Sequence, residues 1–415
     1  MVIRNPHRGR AIVGATLYAL LMAVGAAILI ILFVVQPLWG KHSDARLEAM
    51  GMGALYAFPP LLIYLWVPWI IDRFDPEPWW CLALALWWGA VAAAGFSGAI
   101  NTVVEELTQQ QLGGGKDAEA VANVVGACIS APLVEEFWKG LAVFGIFFFL
   151  RREFDGVVDG IIYGTFAALG FAAIENVTYY SRARLFETLG HQHDALTAAF
   201  VLRGILSPWG HPLYTSMTGI GFGIARETSK TWLRWLAPLF GYGAAVFLHM
   251  IWNGAAVYSG MLVMLMLPLW LLFNLAFFAI ICWLVIRKGR IIRENLRDEV
   301  LIGTLTQDEL NLICSPIGRL RATFRHGGAV GRRFVAHGAR LGLCKWHAAR
   351  AMKGKKETIS VGFIVPLRQE LARLRWEMLH RMGALPTHHP AWQRPQPPGW
   401  PHRQRGGPPD GRPPR

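Results

Sequence analysis

Residues 131–150 read APLVEEFWKGLAVFGIFFFL, an apolar run that is long enough to cross a bilayer yet contains Glu135, Glu136 and Lys139. A charged side chain at the centre of a membrane costs roughly 2.5–3.5 kcal/mol on insertion scales, so these charges must face partners or water. On a helix Glu135 and Lys139 stand four residues apart and share a face, which predicts an ion pair between them. Glu136 is turned about 100° from Glu135. We therefore expect another helix to meet its charge, or protonation to suppress it.

The composition of the chain is that of a membrane protein. Its 415 residues are 53% hydrophobic and only 16% charged, and they include 18 Trp. Soluble proteins are about 25% charged, so an ordinary soluble enzyme is excluded. The five cysteines are scattered without a CxxC pair. They indicate neither a disulfide framework nor a thiolate metal site, and we interpret them as small core residues.

The net charge of +14 is concentrated at the C-terminal end. From residue 287 onward 25 Lys and Arg stand against 9 Asp and Glu, which gives +16 and leaves −2 for residues 1–286. We interpret this segment as a cytoplasmic tail held near anionic lipid, where each basic residue near the surface is worth about 1 kcal/mol. Nucleic acid is not expected as a partner, because no zinc-finger, RNP or helix-turn-helix pattern accompanies the charge.

Apolar runs predict an all-α, polytopic membrane helical bundle of about eight transmembrane helices with a basic cytoplasmic tail. The runs cover about 11–39, 52–71, 79–100, 121–150, 156–180, 198–224, 236–258 and 261–286. Polar loops are expected at 101–120 and 182–195. The first run is too long for the core of a signal peptide, so we interpret it as a span. The distribution of Lys and Arg places both termini in the cytoplasm, as for a multi-pass protein of the cell membrane.

Four segments follow from these patterns. Residues 1–10 form a cytoplasmic N-terminus, 11–286 a membrane-embedded domain, 287–389 a basic cytoplasmic tail, and 390–415 a disordered C-terminus rich in Pro, Gly and Arg. Within the tail, residues 365–382 predict an amphipathic, interfacial helix. Its apolar face contains Leu367, Leu371, Leu374 and Met378.

Ionisable residues fall at similar depth in four consecutive predicted spans. They are Glu135 on the fourth, Glu175 on the fifth, His211 on the sixth and His249 on the seventh. Such residues inside a membrane are expensive, and together they predict one shared, hydrated cavity in its outer half. Asn253 follows His249 by one helical turn, and an imidazole with an amide can bind a developing oxyanion or orient a water, as amide hydrolysis requires.

Other polar features of the spans have simpler interpretations. Arg203 stands near the end of a predicted span and is interpreted as snorkelling toward the surface. The sequence GIGFG at 219–223 predicts close helix packing and not a phosphate loop, since no Lys and Ser or Thr follow it in P-loop order. Asn176 and Tyr179 are equally consistent with plain hydrogen bonds between helices. His211 is either an interior histidine with satisfied hydrogen bonds or a contact for the substrate backbone.

Three motifs resemble those of the PrsW family of intramembrane proteases. They are EExxK at 135–139, FxxxENxxY at 171–179 and HxxWN at 249–253, and DRFDPEP at 72–78 and DGIIYG at 159–164 also resemble that family. The resemblance covers about residues 70–290. PrsW proteases are related to the type II CAAX prenyl endopeptidases and their bacterial CPBP relatives. That branch has an Arg where this chain has Lys139 and a His where it has Glu175.

The resemblance implies a membrane-embedded endopeptidase, with residues 11–286 as the protease domain. Glu135 would act as general base on a water, Glu136 and Lys139 would tune its acidity, and His249 with Asn253 would orient the water or hold the oxyanion. The catalytic candidates are Glu135, Glu136, Lys139, Glu175, His249 and Asn253. The supporting or substrate-binding candidates are Phe171, Asn176, Tyr179 and His211.

A metal-free site is expected, by resemblance to relatives regarded as glutamate proteases. Zinc stays open, because Glu135, Glu175, His211 and His249 would make a His/carboxylate ligand set, although no HExxH spacing is present.

The expected partner is a single-span membrane protein that is cut near the outer surface of the membrane. By resemblance this is an anti-sigma factor in regulated, site-1-like proteolysis. One alternative is an ion- or proton-coupled transporter, against which stand the lack of an inverted repeat and the restriction of charge to spans four to seven. The other is an inactive scaffold of the same fold, whose sign would be the loss of Glu135 or His249, and both are present.

Overall fold

The structure is a computed structural model that describes residues 6–39, 42–71, 74, 76–191, 193–315, 317–353 and 360–383. Within these residues the chain is helical and has no β-strand, which confirms the prediction of an all-α polytopic bundle. The principal described helices are α1 (Ile12–Trp39), α2 (Ser43–Pro68), α3 (Trp79–Gln111), α4 (Lys116–Phe149), α5 (Val157–Thr188), α6 (Ala195–Phe200), α7 (Gly210–Glu227), α8 (Thr231–Tyr258), α9 (Gly260–Leu301), α10 (Gln307–Ile313), α11 (Gly318–Arg325), α12 (Ala329–Lys353) and α13 (Ser360–Arg381).

Seven of the described helices, α1 to α5, α8 and α9, are long and apolar enough to cross a membrane. The predicted sixth span, 198–224, is not one continuous helix. Helix α6 continues into a π-helical turn (Val201–Leu206), and the chain turns at 207–209 before α7 begins at Gly210. Pro208 stands in this break, and a proline cannot continue the hydrogen bonding of a helix. The break places the first turn of α7 inside the bundle.

The polar loops predicted at 101–120 and 182–195 are mostly helical, so that prediction is wrong. Helix α3 runs to Gln111 and α5 to Thr188. Their polar residues extend the helices past their apolar portions, where polar side chains do not oppose helix formation. Between α3 and α4 only residues 112–115 form a connection, and Gly113, Gly114 and Gly115 all have positive φ, which glycine adopts at low cost.

Helix α5 lies at the centre of the membrane bundle and packs closely on α7. A Cβ added to Gly160 would lie 2.1 Å from the carbonyl oxygen of Gly219, and one added to Gly219 would lie 2.0 Å from the carbonyl oxygen of Gly160. Only glycine permits two helices to approach this closely. Gly221 and Gly223 meet the backbones of Ala237 and Val157 in the same way. The interpretation of GIGFG as a packing motif is therefore confirmed.

The segment expected to be a basic tail folds as a helical unit. Helix α9 continues beyond the predicted end of the last span to Leu301, and α10 to α13 pack beside its extension. The apolar face of α13 is buried in the protein core, so the expectation that this face lies in the membrane interface is wrong. The buried residues are Leu367, Leu371, Leu374 and Met378. A helix can bury an apolar stripe against another helix as well as against lipid, and here the partner is α12.

A buried carboxylate joins three of these C-terminal helices. Glu299 on α9 is fully buried, and its Oε1 lies 2.6 Å from Lys345 Nζ on α12 and 2.6 Å from Arg368 Nη2 on α13. Arg368 Nε also donates to Glu299 Oε2 at 3.0 Å, which makes the pair bidentate. Residues 1–5 and 384–415 lie outside the described residues, and the predicted disorder at 390–415 falls there.

The interpretation of the five cysteines as small core residues is correct for three of them. Cys81, Cys314 and Cys344 are buried, Cys128 is half-buried and Cys282 is exposed.

Candidate active site

The acidic pair on α4 lies inside the bundle. Glu136 and Lys139 are fully buried and Glu135 is 6% exposed. Lys139 Nζ lies 2.5 Å from Glu136 Oε1 but 3.8 Å from Glu135 Oε2. The predicted ion pair between Lys139 and Glu135 is therefore present. The expectation that Glu136 depends on another helix for its charge is incomplete, because residues three apart on a helix are also neighbours and Lys139 lies closer to Glu136.

Other helices also meet the charge of Glu136, as predicted. Its Oε2 accepts a hydrogen bond from Thr215 Oγ1 at 2.8 Å on α7, and its Oε1 lies 3.1 Å from His249 Nδ1 on α8. A carboxylate accepts hydrogen bonds only, so His249 carries its proton on Nδ1. Its Nε2 lone pair then faces the cluster, 3.9 Å from Glu135 Oε2. Glu136 thus orients an imidazole, and both of its oxygens are engaged by side chains of the protein.

Glu135 has spare hydrogen-bonding capacity. Its Oε2 is buried and accepts no hydrogen bond from the part of the chain that the structure describes. Its Oε1 accepts one long hydrogen bond, from Asn101 Nδ2 at 3.5 Å, and Ser130 Oγ donates to Asn101 Oδ1 at 2.8 Å. A buried acceptor without a donor is unfavourable unless a ligand or water completes it. Of the two adjacent acids, Glu135 is thus the one with an oxygen available to bind a ligand or a water.

Glu175 on α5 has a cation of its own. Arg203, in the π-helical turn after α6, pairs through Nη2 with Glu175 Oε2 and donates through Nε to Asn176 Oδ1 at 2.8 Å. Its guanidinium stacks over the ring of Tyr179, 3.8 Å from the ring centre. The interpretation of Arg203 as a snorkelling residue is therefore wrong: a carboxylate inside the bundle needs a cation, and Arg203 supplies it.

His211 links the two charged groups. Lys139 Nζ donates to His211 Nδ1 at 3.0 Å, so the imidazole carries its proton on Nε2 and donates it to Glu175 Oε2 at 2.8 Å. Phe171 lies beneath this link, with Lys139 Nζ 4.3 Å from its ring centre and the His211 ring 5.4 Å away. The four predicted spans therefore do bring their ionisable residues together.

The side-chain amide of Asn253 already has a hydrogen-bond partner, so its expected role beside His249 stays a prediction. Its Nδ2 donates to the carbonyl oxygen of Ala127 at 2.9 Å, in a π-helical turn of α4 (Gly126–Ser130). Such a turn departs from the ordinary helical hydrogen bonding, and its carbonyls need other partners. Asn253 thus joins α8 to α4.

The two remaining motifs lie away from this cluster. Tyr163, in DGIIYG, donates to Glu77 Oε2 and lies 2.8 Å from the carbonyl oxygen of Glu153, and Asp159 Oδ2 accepts from the backbone N–H of Gly156 at 3.1 Å. These contacts stabilise the start of α5. Within DRFDPEP, residues 72, 73 and 75 lie outside the described residues.

Residues 77–283 match the family described as "PrsW family intramembrane metalloprotease". The chain belongs to the PrsW family. It is 32% identical over 149 residues to Protease PrsW of Geobacillus kaustophilus (strain HTA426), an alignment that covers 35% of this chain and 59% of that protein. It is 29% identical over 153 residues to Protease PrsW of Oceanobacillus iheyensis, covering 36% and 64% of the two chains.

A third relative, Protease PrsW of Bacillus subtilis (strain 168), is 25% identical over 220 residues, or 53% of this chain and 85% of that protein. The chain thus spans less than two thirds of the length of the first two relatives. No solved structure matches it.

The sequence alone did not identify three members of this PrsW-family cluster. Tyr214 stacks on His249 with ring centres 4.9 Å apart and planes at 20°, Thr215 binds Glu136, and Asn101 contacts Glu135. The sequence held a signal for Tyr214 and Thr215, because they stand three and four residues after His211 and so share its face of α7. Asn101 was assigned to a loop.

One carboxylate and two imidazoles of the cluster could hold a metal ion. Ligand atoms of Glu135, His211 and His249 all lie within 4.8 Å of one another, and two His with one Glu is an established zinc ligand set. The free Glu135 Oε2 and His249 Nε2 fit such an ion, and Glu136 would orient His249 from behind. His211 would have to release one of its two present partners. Glu175, expected among the ligands, lies outside the set because Arg203 and His211 engage it.

Proposed function

We propose that this membrane protein is an intramembrane endopeptidase in which Glu135 activates a water for attack on a peptide bond. The observation that carries the proposal is the unused, buried Oε2 of Glu135, which stands 3.9 Å from the free Nε2 of His249. A water between these atoms would give one hydrogen bond to each. The family match and the relatives named Protease PrsW support the same activity.

In the proposed reaction Glu135 takes a proton from the water as its oxygen bonds to the scissile carbonyl carbon. The C–N bond then breaks, and Glu135 returns the proton to the leaving amine. Glu136 keeps His249 oriented, with Lys139 balancing the charge of Glu136. Arg203 and Glu175 hold His211 in place on the other side.

A metal would be held by Glu135, His211 and His249. When bound, a zinc ion polarises a carbonyl oxygen and makes a bound water a stronger nucleophile. The metal-free site expected from the sequence stays a prediction, while the family description and this ligand set favour the alternative. Elemental analysis of the purified protein distinguishes the two. Stoichiometric zinc whose removal abolishes cleavage would support the zinc site, whereas cleavage by zinc-free protein that survives chelation would support the metal-free mechanism.

The test of the activity compares strains that carry the parent, a deletion, Glu135→Gln and a matched control, Glu106→Gln. Glu106 belongs to another pair of adjacent acids, on α3, and is exposed. Mass spectrometry of membrane proteins should find one substrate cut in the parent and in the control strain, but intact in the other two. Equal cleavage in the Glu135→Gln strain, with the variant present at parental levels, would show that Glu135 is not the base.

We further propose that the substrate is a single-span membrane protein such as an anti-sigma factor, cut near the outer surface of the cell membrane. The support is the PrsW resemblance and the excess of Lys and Arg that favours cytoplasmic termini. Reporter fusions at both ends test the topology, and new substrate termini confined to the cytoplasmic side would contradict the outer site.

Anionic lipid is proposed as a second partner, because the segment from residue 287 carries a charge of +16. Since the apolar face of α13 is buried, the attraction should be electrostatic alone. The full-length protein in bilayers with anionic lipid should then show contacts of this segment that salt weakens. Contacts that are equal in neutral bilayers at high salt would rule out this account.

A further inference from the structure

Helix α7 begins beside the acidic cluster, directly after the break at 207–209. A helix of 18 residues carries a partial positive charge at its N-terminus. In this first turn the N–H groups of Gly210 and Leu213 donate to the carbonyl oxygens of Ser207 and Trp209, and Pro212 has no N–H, so the N–H of His211 is the donor that the turn can offer to a ligand. His211 is the second residue of this turn. The start of α7 therefore faces the acidic cluster, where a second group directed to the same place could complete a site with it.

The hydroxyl of Tyr214 is such a group. Tyr214 is 1% exposed, and its hydroxyl has no hydrogen-bond partner within the described ranges. A Cβ added to Gly210 would lie 3.1 Å from Tyr214 Oη, so the hydroxyl stands at the first residue of α7. Side chains on a helix lean toward its N-terminus, which explains how a residue one turn further on reaches back there. Buried hydroxyls in proteins nearly always have a partner, so this one indicates a ligand.

Packing keeps the phenol ring in this position. The ring lies nearly parallel to that of His249, with centres 4.9 Å apart, and Trp270 of α9 packs 5.6 Å from it. The His211 ring stands edge-on at 5.8 Å. The hydroxyl thus has a fixed place between the cluster and the start of α7, as preorganised catalysis requires.

We propose that the Tyr214 hydroxyl and the first turn of α7 form the oxyanion site for peptide hydrolysis. As the water oxygen bonds to the carbonyl carbon and its proton passes to Glu135, the carbonyl oxygen becomes negative. Tyr214 donates a hydrogen bond to that oxygen and keeps its own proton throughout. This inference rests on the proposed endopeptidase function. It assigns to Tyr214 the role expected for Asn253, whose amide is engaged by Ala127.

The test uses purified, full-length protein in detergent and fluorescein-labelled casein as the probe substrate. Tyr214→Phe removes only the hydroxyl, so kcat should fall about 10²- to 10³-fold with KM changed less than about twofold, the effect of losing one oxyanion donor. Its unfolding temperature should not fall, because the lost hydroxyl has no partner. Gly210→Ala keeps the hydroxyl but crowds it, and should lower kcat by a smaller factor.

Tyr163→Phe is the matched control. Tyr163 is equally buried, but its hydroxyl binds Glu77 and Glu153. This variant should lose thermal stability and keep its kcat, the opposite of Tyr214→Phe. A parental kcat in Tyr214→Phe would overturn the oxyanion site, and so would a loss of kcat accompanied by the same loss of stability as in the control.

Glu135→Gln separates this inference from the proposed function. An active parent, an inactive Glu135→Gln and a fully active Tyr214→Phe would remove the oxyanion site and leave the endopeptidase standing. A Glu135→Gln variant as active as the parent would overturn the proposed function and this inference with it.

Discussion

Lys139 offers the sharpest test of the geometry around the acidic pair. Its ammonium lies 2.5 Å from Glu136 Oε1 and 3.8 Å from Glu135 Oε2. With an effective dielectric constant of about 20, these distances correspond to gross attractions of about 7 and about 4 kcal/mol. Lys139→Met leaves both carboxylates buried without their nearest cation, and the expected cost is about 3–5 kcal/mol in the free energy of unfolding.

Two double-mutant cycles separate the contributions. One combines Lys139→Met with Glu136→Gln, and the other combines it with Glu135→Gln. We expect the coupling energy with Glu136 to exceed that with Glu135 by about 2 kcal/mol, and the Glu136 double variant to be more stable than Lys139→Met alone. The assay is unfolding by SDS in mixed micelles, followed by tryptophan fluorescence.

The control for these cycles is Lys116→Met. Lys116 is an exposed lysine on the same helix, so its substitution should change the free energy of unfolding by less than about 0.5 kcal/mol. A coupling with Glu135 that equals or exceeds the coupling with Glu136 would refute the pairing described above and restore the one expected from sequence.

Three further predictions concern the rest of the fold. Glu299→Gln should destabilise the C-terminal helices by about 1–3 kcal/mol, seen as faster hydrogen exchange in α12, whereas the exposed Glu294→Gln should not. Gly219→Ala should lower the free energy of unfolding by about 3 kcal/mol or more, because the new Cβ would lie 2.0 Å from a carbonyl oxygen. Gly243→Ala, with open space around it, should be neutral or slightly stabilising, and thermal unfolding measures both variants. Burial and a neighbouring arginine lower the pKa of His347 to about 4. The stabilising contribution of the neutral imidazole should therefore be complete above pH 6.5, and the free energy of unfolding should fall by roughly 1–2 kcal/mol by pH 5. His347→Gln should flatten this pH dependence, measured through the unfolding temperature.

The sequence predicted those parts of the fold that depend on strong, local patterns. Long apolar runs identified the membrane helices, and intramembrane charges at matched depth predicted the meeting of Glu135, Glu175, His211 and His249. The expense of burying a charge in lipid leaves few arrangements, so such residues are informative even without known contacts. The glycine-rich stretch at 219–223 was interpretable for the same reason, since small residues within an apolar span favour close packing.

The sequence did not predict which side chains pair with each other, because pairing depends on helix rotation and on contacts between distant segments. Lys139 is near both Glu135 and Glu136 in sequence, and only the side-chain geometry selects between them. Arg203 was misjudged because its place near a span end gave no sign of the carboxylate it would meet on α5. The apolar face of α13 illustrates the same difficulty, since periodicity identifies an apolar face and does not distinguish lipid from a protein partner.

The long helix α9 connects the two parts of the molecule as one rigid rod. It runs without a break from Trp270, which packs on Tyr214, to Glu299, which Lys345 and Arg368 hold, a distance of about 44 Å at 1.5 Å per residue. Both ends of the rod are fixed to their surroundings and no hinge separates them. A displacement of the C-terminal helices would therefore be carried along α9 to the contact between Trp270 and Tyr214, beside the acidic cluster.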